Sequence, residues 1–346
     1  MGAGRPLRVV QWSTGNIGRR SLRNIIEHPD MRLVGVLVHS SDKAGQDAGE
    51  LCGLPGTTGV KATTSVEEIL ALDADCVIYM RQGLDYDEVA AILASGKNIV
   101  TTRGEFHDVS AIDPVERAKI EQACRDGQTS IYSTGSSPGF ISEALTLPVI
   151  SCQRRLDCLT INEYSNMSRR DSPHMIFEHL GYGKSPEDFD APHMEHLREM
   201  FSGTLNQIAN AIGQPIDEFT VGCEVALANK DTTIVAGSLK AGTVAAQRIT
   251  VSGRRGGRPF LQFRANWYVT KDVDHDWDLL DTGWRVVCEG DAPMDIRIAF
   301  PVAIEDYTAT MPGYTAHRTV NAIPTVCAAP PGIRTTVDLP QVIARF

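Results

Sequence analysis

What this 346-residue chain lacks bounds what it can be. No stretch approaches the ~20 consecutive apolar residues needed to cross a bilayer, and residues 1–7 lead directly into a strand pattern, so neither a membrane partner nor a leader or anchor is expected. Charge of one sign is thinly spread. No basic block is longer than Arg169-Arg170 or Arg254-Arg255, and 43 acidic against 33 basic residues leave a net charge of −10, which argues against nucleic acid as a partner. The eight cysteines contain no Cys-x-x-Cys pair, so a thioredoxin-like or zinc site has no support. They are scattered, and several fall in apolar strand patterns such as Asp75-Cys76-Val77-Ile78, which fits free thiols in a reducing cytoplasm. Repeats and low-complexity tracts are also missing. With 42% hydrophobic and 22% charged residues, an ordinary globular chain of about two domains remains.

From residue 7 to about 135, short β-rich runs alternate with helical patterns, the mark of a doubly wound parallel sheet. Strands are predicted at 7–12, 33–39, 76–80, 98–102 and 129–133, and helices at 17–27, 66–70, 86–94 and 114–125. The last helix opens on Asp113 as N-cap and Pro114 at its first position. The rhythm changes after Gly135-Ser136-Ser137-Pro138-Gly139. Helical stretches at 173–180 and 193–212 precede strands at 219–228, 245–253, 260–270, 284–289 and 296–300. Strands in succession imply a mixed or antiparallel sheet, hence an α+β second domain. The expected fold class is therefore α/β: a Rossmann domain over 1–136, an α+β substrate and dimerisation domain over 137–304, and a segment, 305–346, returning to the Rossmann domain. That last segment is predicted to hold helices at 314–322 and 339–344.

Val9-Val10-Gln11-Trp12-Ser13-Thr14-Gly15-Asn16-Ile17-Gly18 reads as a strand entering a turn that opens a helix. It matches the dinucleotide fingerprint at the second and third glycines. Gly15 lets backbone approach a pyrophosphate held by helix amides, and Gly18 lets the helix pack closely on the strand. Ser13 stands where the first glycine usually sits. About 20 residues further on, an acid would hold the ribose hydroxyls of NAD. The sequence offers His39, Ser40, Ser41 and Lys43 instead, a set suited to a 2′-phosphate, so NADP is the preferred cofactor; Asp42 keeps NAD open.

Two more strand ends point into the ligand crevice of such a sheet, Met80-Arg81 and Thr101-Thr102-Arg103-Gly104-Glu105-Phe106-His107. Met80, Arg81, Thr101 and Thr102 are the expected cofactor contacts there. Glu105 is the candidate acid-base group, against the alternative of a surface or capping acid. Phe140, Met175, Phe177, Met200 and Phe201 could line an apolar pocket or simply be core. His193, Glu195, His196 and Glu199 have helical metal-ligand spacing but no His-Glu-x-x-His pattern, so no metal is expected. Arg169-Arg170-Asp171 would suit either a substrate anion or a salt-bridged loop. Ser133, Ser136 and Ser137 have no evident histidine and acid partners, so a hydrolase triad is not supported.

Through its fingerprint and Gly45-Gln46-Asp47-Ala48-Gly49-Glu50-Leu51-Cys52-Gly53, the chain resembles the dihydrodipicolinate reductase superfamily. The paired histidines and Lys-x-Asp-Ala-Pro-Ser-Gly-Thr signature of the lysine-pathway reductase are absent. The second half resembles the 2,4-diaminopentanoate dehydrogenases and native amine dehydrogenases. It does so through Ser137-Pro138-Gly139-Phe140, Asn166-Met167-Ser168, Asp171-Ser172-Pro173-His174-Met175-Ile176-Phe177, Gly181-Tyr182-Gly183, Arg318-Thr319-Val320-Asn321-Ala322-Ile323-Pro324, Pro331-Gly332 and Asp338-Leu339-Pro340. The resemblance implies a proton-handling acid at Glu105 and pairing into a homodimer through the second sheet. Ser137 replaces the asparagine often found before Pro-Gly-Phe in that family, so the polar contact near the carbonyl differs. The expected substrate pocket, from these turn residues and the apolar candidates, comprises Ser137, Pro138, Phe140, Met175, Phe177 and Met200. The implied activity is NAD(P)H-dependent reductive amination of a ketone or aldehyde with ammonia, or its reverse. The alternatives are a carbonyl or imine reductase and a non-catalytic NADP-binding regulator.

Overall fold

Strand β1 (Leu7–Trp12) is buried over its last four residues and pairs in parallel with both β2 (Met31–Leu37) and β4 (Cys76–Tyr79). Its successive side chains face opposite sides, so Val9 and Val10 enter different cores. That alternation is why helices are needed on both faces. With β3 (Ala62–Thr63), β5 (Asn98–Thr101), β6 (Ser130–Ser133) and the C-terminal β15 (Gly332–Arg334), these strands form a seven-stranded sheet ordered β15-β6-β5-β4-β1-β2-β3. Every pairing in it is parallel. The order reverses between β1 and β4, which opens a crevice at the carboxyl ends of the strands.

The computed structural model describes residues 5–190 and 194–346 and divides into two compact units, Met1–Phe140 with Ala309–Phe346, and Ile141–Thr308. In the first unit the connecting helices are α1 (Asn16–Glu27), α2 (Ala48–Cys52), α3 (Val66–Ala71), α4 (Tyr86–Ala94) and α5 (Pro114–Gly127). Asp113 caps α5 as expected, accepting from the amides of Val115 at 2.8 Å and Glu116 at 3.3 Å. One core layer packs Leu22 and Ile25 of α1 with Val320, Ile323 and Val326 of the C-terminal helix; the other packs Val77, Ile99 and Ile131 with Ile92, Leu93 and Ile120.

The second unit opens with α6 (Thr146–Ile150) and holds β7 (Leu156–Asn166), β8 (Glu218–Leu227), β11 (Val244–Arg255), β12 (Arg258–Tyr268), β13 (Gly283–Gly290) and β14 (Met294–Ala299). They form one sheet ordered β14-β13-β7-β12-β11-β8, with β7 and β12 parallel and every other pair antiparallel. A short hairpin, β9 (Thr232–Ile234) and β10 (Gly237–Leu239), stands apart. Helix α7 (Met194–Ala211) covers β8, β11 and β12, where the rings of Phe201 and Phe263 stack 3.5 Å apart. Among the described residues, no helix is long and apolar enough to cross a membrane.

Several elements differ from the sequence reading, most of them for a physical cause. The central strand β7 was not anticipated, because it carries Asp157, Thr160, Asn162 and Glu163; Thr160 and Asn162 are nevertheless buried and bond to Gln262 and to the carbonyl of Arg285. The helix expected at 339–344 does not form: six residues with Pro340 among them are too few to nucleate one. Leu339 and Val342 instead pack on the first core from a segment without regular secondary structure. The helix expected at 314–322 is longer, α8 (Tyr307–Cys327), spanning Pro312 and Pro324; burial of Ala316, Val320, Ile323 and Val326 offsets the lost backbone bonds. The expected helix at 173–180 is a wider turn, His174–His179. Residue His193 lies outside the described residues.

Candidate active site

The first βα turn shows what each fingerprint position does. Ser13 adopts φ 73°, the left-handed conformation that the usual first glycine supplies. The buried side chain of Gln11 holds this turn by donating to the Ser13 carbonyl at 2.8 Å. A Cβ on Gly18 would lie 2.2 Å from that same carbonyl oxygen, so glycine is compulsory there for the helix to close on the strand. Gly15 differs. Its φ is −68° and a Cβ would meet nothing within 4 Å. Neither backbone strain nor packing calls for glycine at 15, whereas an incoming phosphate needs that open space. The Ser13 hydroxyl oxygen is also buried without a partner among the described residues. These residues fit the pyrophosphate of a dinucleotide at the N-terminus of α1.

Thr14 is buried, Ile17 half-buried and Asn16 exposed, its Oδ1 accepting from Arg20 at 2.5 Å. Lys43, from the turn after β2, donates to Thr14 Oγ1 at 3.3 Å, which ties the second strand's loop to the fingerprint. His39, Ser40 and Ser41 are exposed beside it, two to four residues past the end of β2.

The next strand ends are less uniform. Met80 is half-buried, and its sulfur accepts from Thr102 Oγ1 at 3.6 Å. The Thr101 hydroxyl is fully buried and committed to the Tyr79 carbonyl at 2.8 Å, while accepting from the Arg103 amide, so it braces β5 against β4. Arg81 is drawn to α4, with Glu88 at 2.8 Å and Asp85 at 3.3 Å.

Glu105 sits in a single 3-10 turn, Gly104–Phe106, after β5. Its carboxylate is 36% exposed and paired with Arg103. Around this turn lies a group that strand and helix patterns could not single out. Ser133, at the end of β6, donates to the Arg103 carbonyl at 2.8 Å and lies 3.2 Å from Nε2 of His107. The imidazole is buried, and desolvation, opposed by the nearby Glu105 charge, pushes its pKa down to about 4. Only the presence of a histidine two residues beyond the candidate acid was visible in the sequence.

The Ser137-Pro138-Gly139-Phe140 turn follows Thr134, whose amide donates to the Thr101 carbonyl at 2.9 Å. Gly139 has φ 120° and a Cβ there would meet Thr134 Oγ1 at 2.7 Å, so the turn requires glycine twice over. Ser137 Oγ and Thr134 Oγ1 are buried without partners among the described residues. Pro138 is half-buried, and the Arg318 guanidinium lies 6.0 Å from the ring centre of Phe140. The remaining pocket candidates belong to the second unit. Phe177 packs into its core against Gly183 and Gly237, Met200 is half-buried on α7, and Met175 is 39% exposed. Arg169 lines a cavity of about 730 Å³ in that unit with Asn166, Ser168, Tyr268, Asp281 and Tyr307. Glu195 pairs with Arg198, and among the described residues no three side chains converge as metal ligands.

Residues 9–133 match the family described as dihydrodipicolinate reductase, N-terminus, and residues 152–345 match the 2,4-diaminopentanoate dehydrogenase C-terminal domain. An amine dehydrogenase of Streptomyces virginiae is 29% identical over 347 residues, 96% of each chain. The 2,4-diaminopentanoate dehydrogenase of Acetoanaerobium sticklandii is 23% identical over 263 residues, covering 74% of this chain and 70% of that one. The amine dehydrogenase structure from Mycobacterium smegmatis superposes with a TM-score of 0.73 at 18% identity, over 98% of this chain and 97% of that one, and so shares the fold. A fingerprint turn open only where a dinucleotide needs it, followed by a second half that matches one dehydrogenase family over most of its length, identifies this chain as an NAD(P)-dependent oxidoreductase of the 2,4-diaminopentanoate dehydrogenase C-terminal domain family.

Proposed function

We propose that the protein is an amine dehydrogenase, joining ammonia to a ketone or aldehyde at the expense of NADPH, or oxidising the amine in reverse. The observation that carries the reading is a carboxylate, Glu105, at the end of β5, on the crevice edge that also presents the open Gly15 turn. The whole-length similarity to an amine dehydrogenase supports it.

Glu105 takes a proton from ammonium, so that free ammonia attacks the carbonyl carbon. It then returns a proton to the hydroxyl of the carbinolamine, which leaves as water and yields an iminium. The nicotinamide, when bound, supplies the hydride that reduces this carbon. Ser137, Pro138 and Phe140, in the turn after β6, are the groups proposed to line the substrate and keep water from hydrolysing the iminium. Ser13 to Gly18 hold the pyrophosphate, Met80 and Thr102 flank the cofactor while the committed Thr101 and Arg81 brace the strand ends, and Lys43 with His39, Ser40 and Ser41 receives a 2′-phosphate, which favours NADP over NAD. A homodimer in the cytoplasm completes the reading.

The test is NADPH oxidation with acetone, cyclohexanone, isobutyraldehyde and 4-oxopentanoate, each with and without ammonium chloride. Turnover that requires ammonium supports amination. Equal rates without it would make the protein a carbonyl reductase, and tight NADPH binding with no turnover would make it a regulator.

A further inference from the structure

The turn carrying Glu105 is held from both sides by groups with no part yet in the chemistry. On its leading side, Ser133 of the neighbouring strand β6 donates its single hydroxyl hydrogen to the Arg103 carbonyl at 2.8 Å. The contact between Ser133 Oγ and His107 Nε2, at 3.2 Å, therefore needs its hydrogen from the ring: Nε2–H donates and Ser133 accepts. On the trailing side, the His107 amide closes the turn onto the Gly104 carbonyl at 2.9 Å. The chain from Arg103 to His107 is thus a loop whose two ends meet at one hydroxyl, with Glu105 at its middle.

We infer that His107 and Ser133 are positioning residues for Glu105, a clamp that fixes the turn so that the carboxylate is presented at one place on the crevice edge. This rests on the reading of Glu105 as the proton-handling group. Three features support the clamp. Ser133 and His107 are both buried, at 3% and 4% exposure, so the bond is shielded from competing water. Burial keeps the imidazole neutral at ordinary pH, so its one N–H is the Nε2–H that Ser133 accepts, and it adds no second cation to the Arg103 guanidinium already paired with the acid. Finally, the clamp is anchored to β6, an interior strand hydrogen-bonded to β5 on one side and β15 on the other. A group that must move a proton twice in one cycle gains from such preorganisation, because a misplacement of about 1 Å can cost on the order of 100-fold in rate.

The experiment measures ammonium-dependent turnover of the best ketone of the panel, the NADPH dissociation constant and the melting temperature, for the parent and for His107→Phe, His107→Gln, Ser133→Ala, the His107→Phe/Ser133→Ala pair, and Glu105→Gln. The glutamine at 107 can offer an N–H near the position of Nε2. Expected are a fall in kcat of roughly ten-fold or more for His107→Phe, NADPH affinity and ketone KM little changed, and recovery of most of kcat in His107→Gln. The double variant is expected to be no slower than the slower single one, since both break one clamp. If His107→Phe fails to fold, Ser133→Ala carries the test alone, with the same expected fall in kcat. Parent-like kcat in His107→Phe or Ser133→Ala while Glu105→Gln is inactive overturns the clamp and leaves Glu105 standing. A His107→Gln variant as slow as His107→Phe also overturns it, because the ring would then act by packing. Parent-like turnover in Glu105→Gln overturns the functional reading, and the clamp with it.

Discussion

The two matched glycines of the fingerprint do different jobs, and alanine separates them. At Gly18 the new methyl would lie 2.2 Å from the Ser13 carbonyl oxygen, 3.0 Å from its carbon and 3.2 Å from Gln11 Nε2. The nearest atoms are backbone, held by the bond from the buried Gln11, so relief requires α1 to back away from the turn. An overlap of this kind costs about 1–3 kcal/mol, and for a unit of this size each kcal/mol lowers Tm by roughly 2–4 °C. Gly18→Ala should therefore lose up to about 10 °C in a thermal melt. At Gly15 the methyl meets nothing within 4 Å and φ is already −68°. Reduced freedom of the unfolded chain offsets the poorer N-cap, so Tm should stay within a few degrees of the parent. The same methyl occupies the space left for the pyrophosphate, and if the clash costs about 1–3 kcal/mol, the NADPH dissociation constant rises by roughly ten-fold or more. Fluorescence titration with NADPH beside differential scanning calorimetry reads both quantities. An unchanged NADPH affinity in Gly15→Ala, or a parent-like Tm in Gly18→Ala, would refute the reasoning.

Cofactor choice follows from the loop after β2: a charge-assisted contact is worth about 1.5–3 kcal/mol, so NADPH should bind at least several-fold more tightly than NADH. Lys43→Ala should narrow that gap, and a preference for NADH would assign the ribose to Asp42 instead. Stability should depend on His107 in a defined pH window. Its folded pKa, about 4, lies below the unfolded value of 6.5, so the neutral buried ring contributes fully above pH 6.5 and its contribution drains away as pH falls toward 4. The difference amounts to about 3 kcal/mol at most. Urea titrations at pH 7.5 and 4.5 should show a shallower loss for His107→Phe than for the parent; equal slopes would mean that the ring does not titrate in this window.

Much of the first sheet could be read from its residues because local signals and tertiary demands agree there. β1 and α4 occupy the spans expected for them, and Asp113-Pro114 opens α5 by a cap that needs only neighbouring amides. Agreement failed where tertiary contacts overrule local pattern. β7 is a central strand with polar residues whose partners, Gln262 and the Arg285 carbonyl, are more than 100 residues away. The segment 339–344 is apolar enough for a helix yet packs on the core without regular secondary structure. The fingerprint was legible despite its missing first glycine because Ser13 can take the same left-handed φ. By contrast, the commitment of Thr101 to the Tyr79 carbonyl, the draw of Arg81 toward Glu88 and the meeting of Ser133 with His107 depend on register between β4, β5 and β6, which sequence spacing does not encode.

The central claim is that Glu105 moves the protons of an ammonium-dependent reduction. Its most direct test is the single-turnover rate of NADPH oxidation, at saturating ketone and ammonium chloride, in Glu105→Gln against the parent, with NADPH affinity measured on the same samples. The account predicts unchanged NADPH binding and a rate lower by about 100-fold or more, the scale that general acid-base groups supply. A Glu105→Gln variant that binds NADPH and aminates at near the parent rate would contradict it.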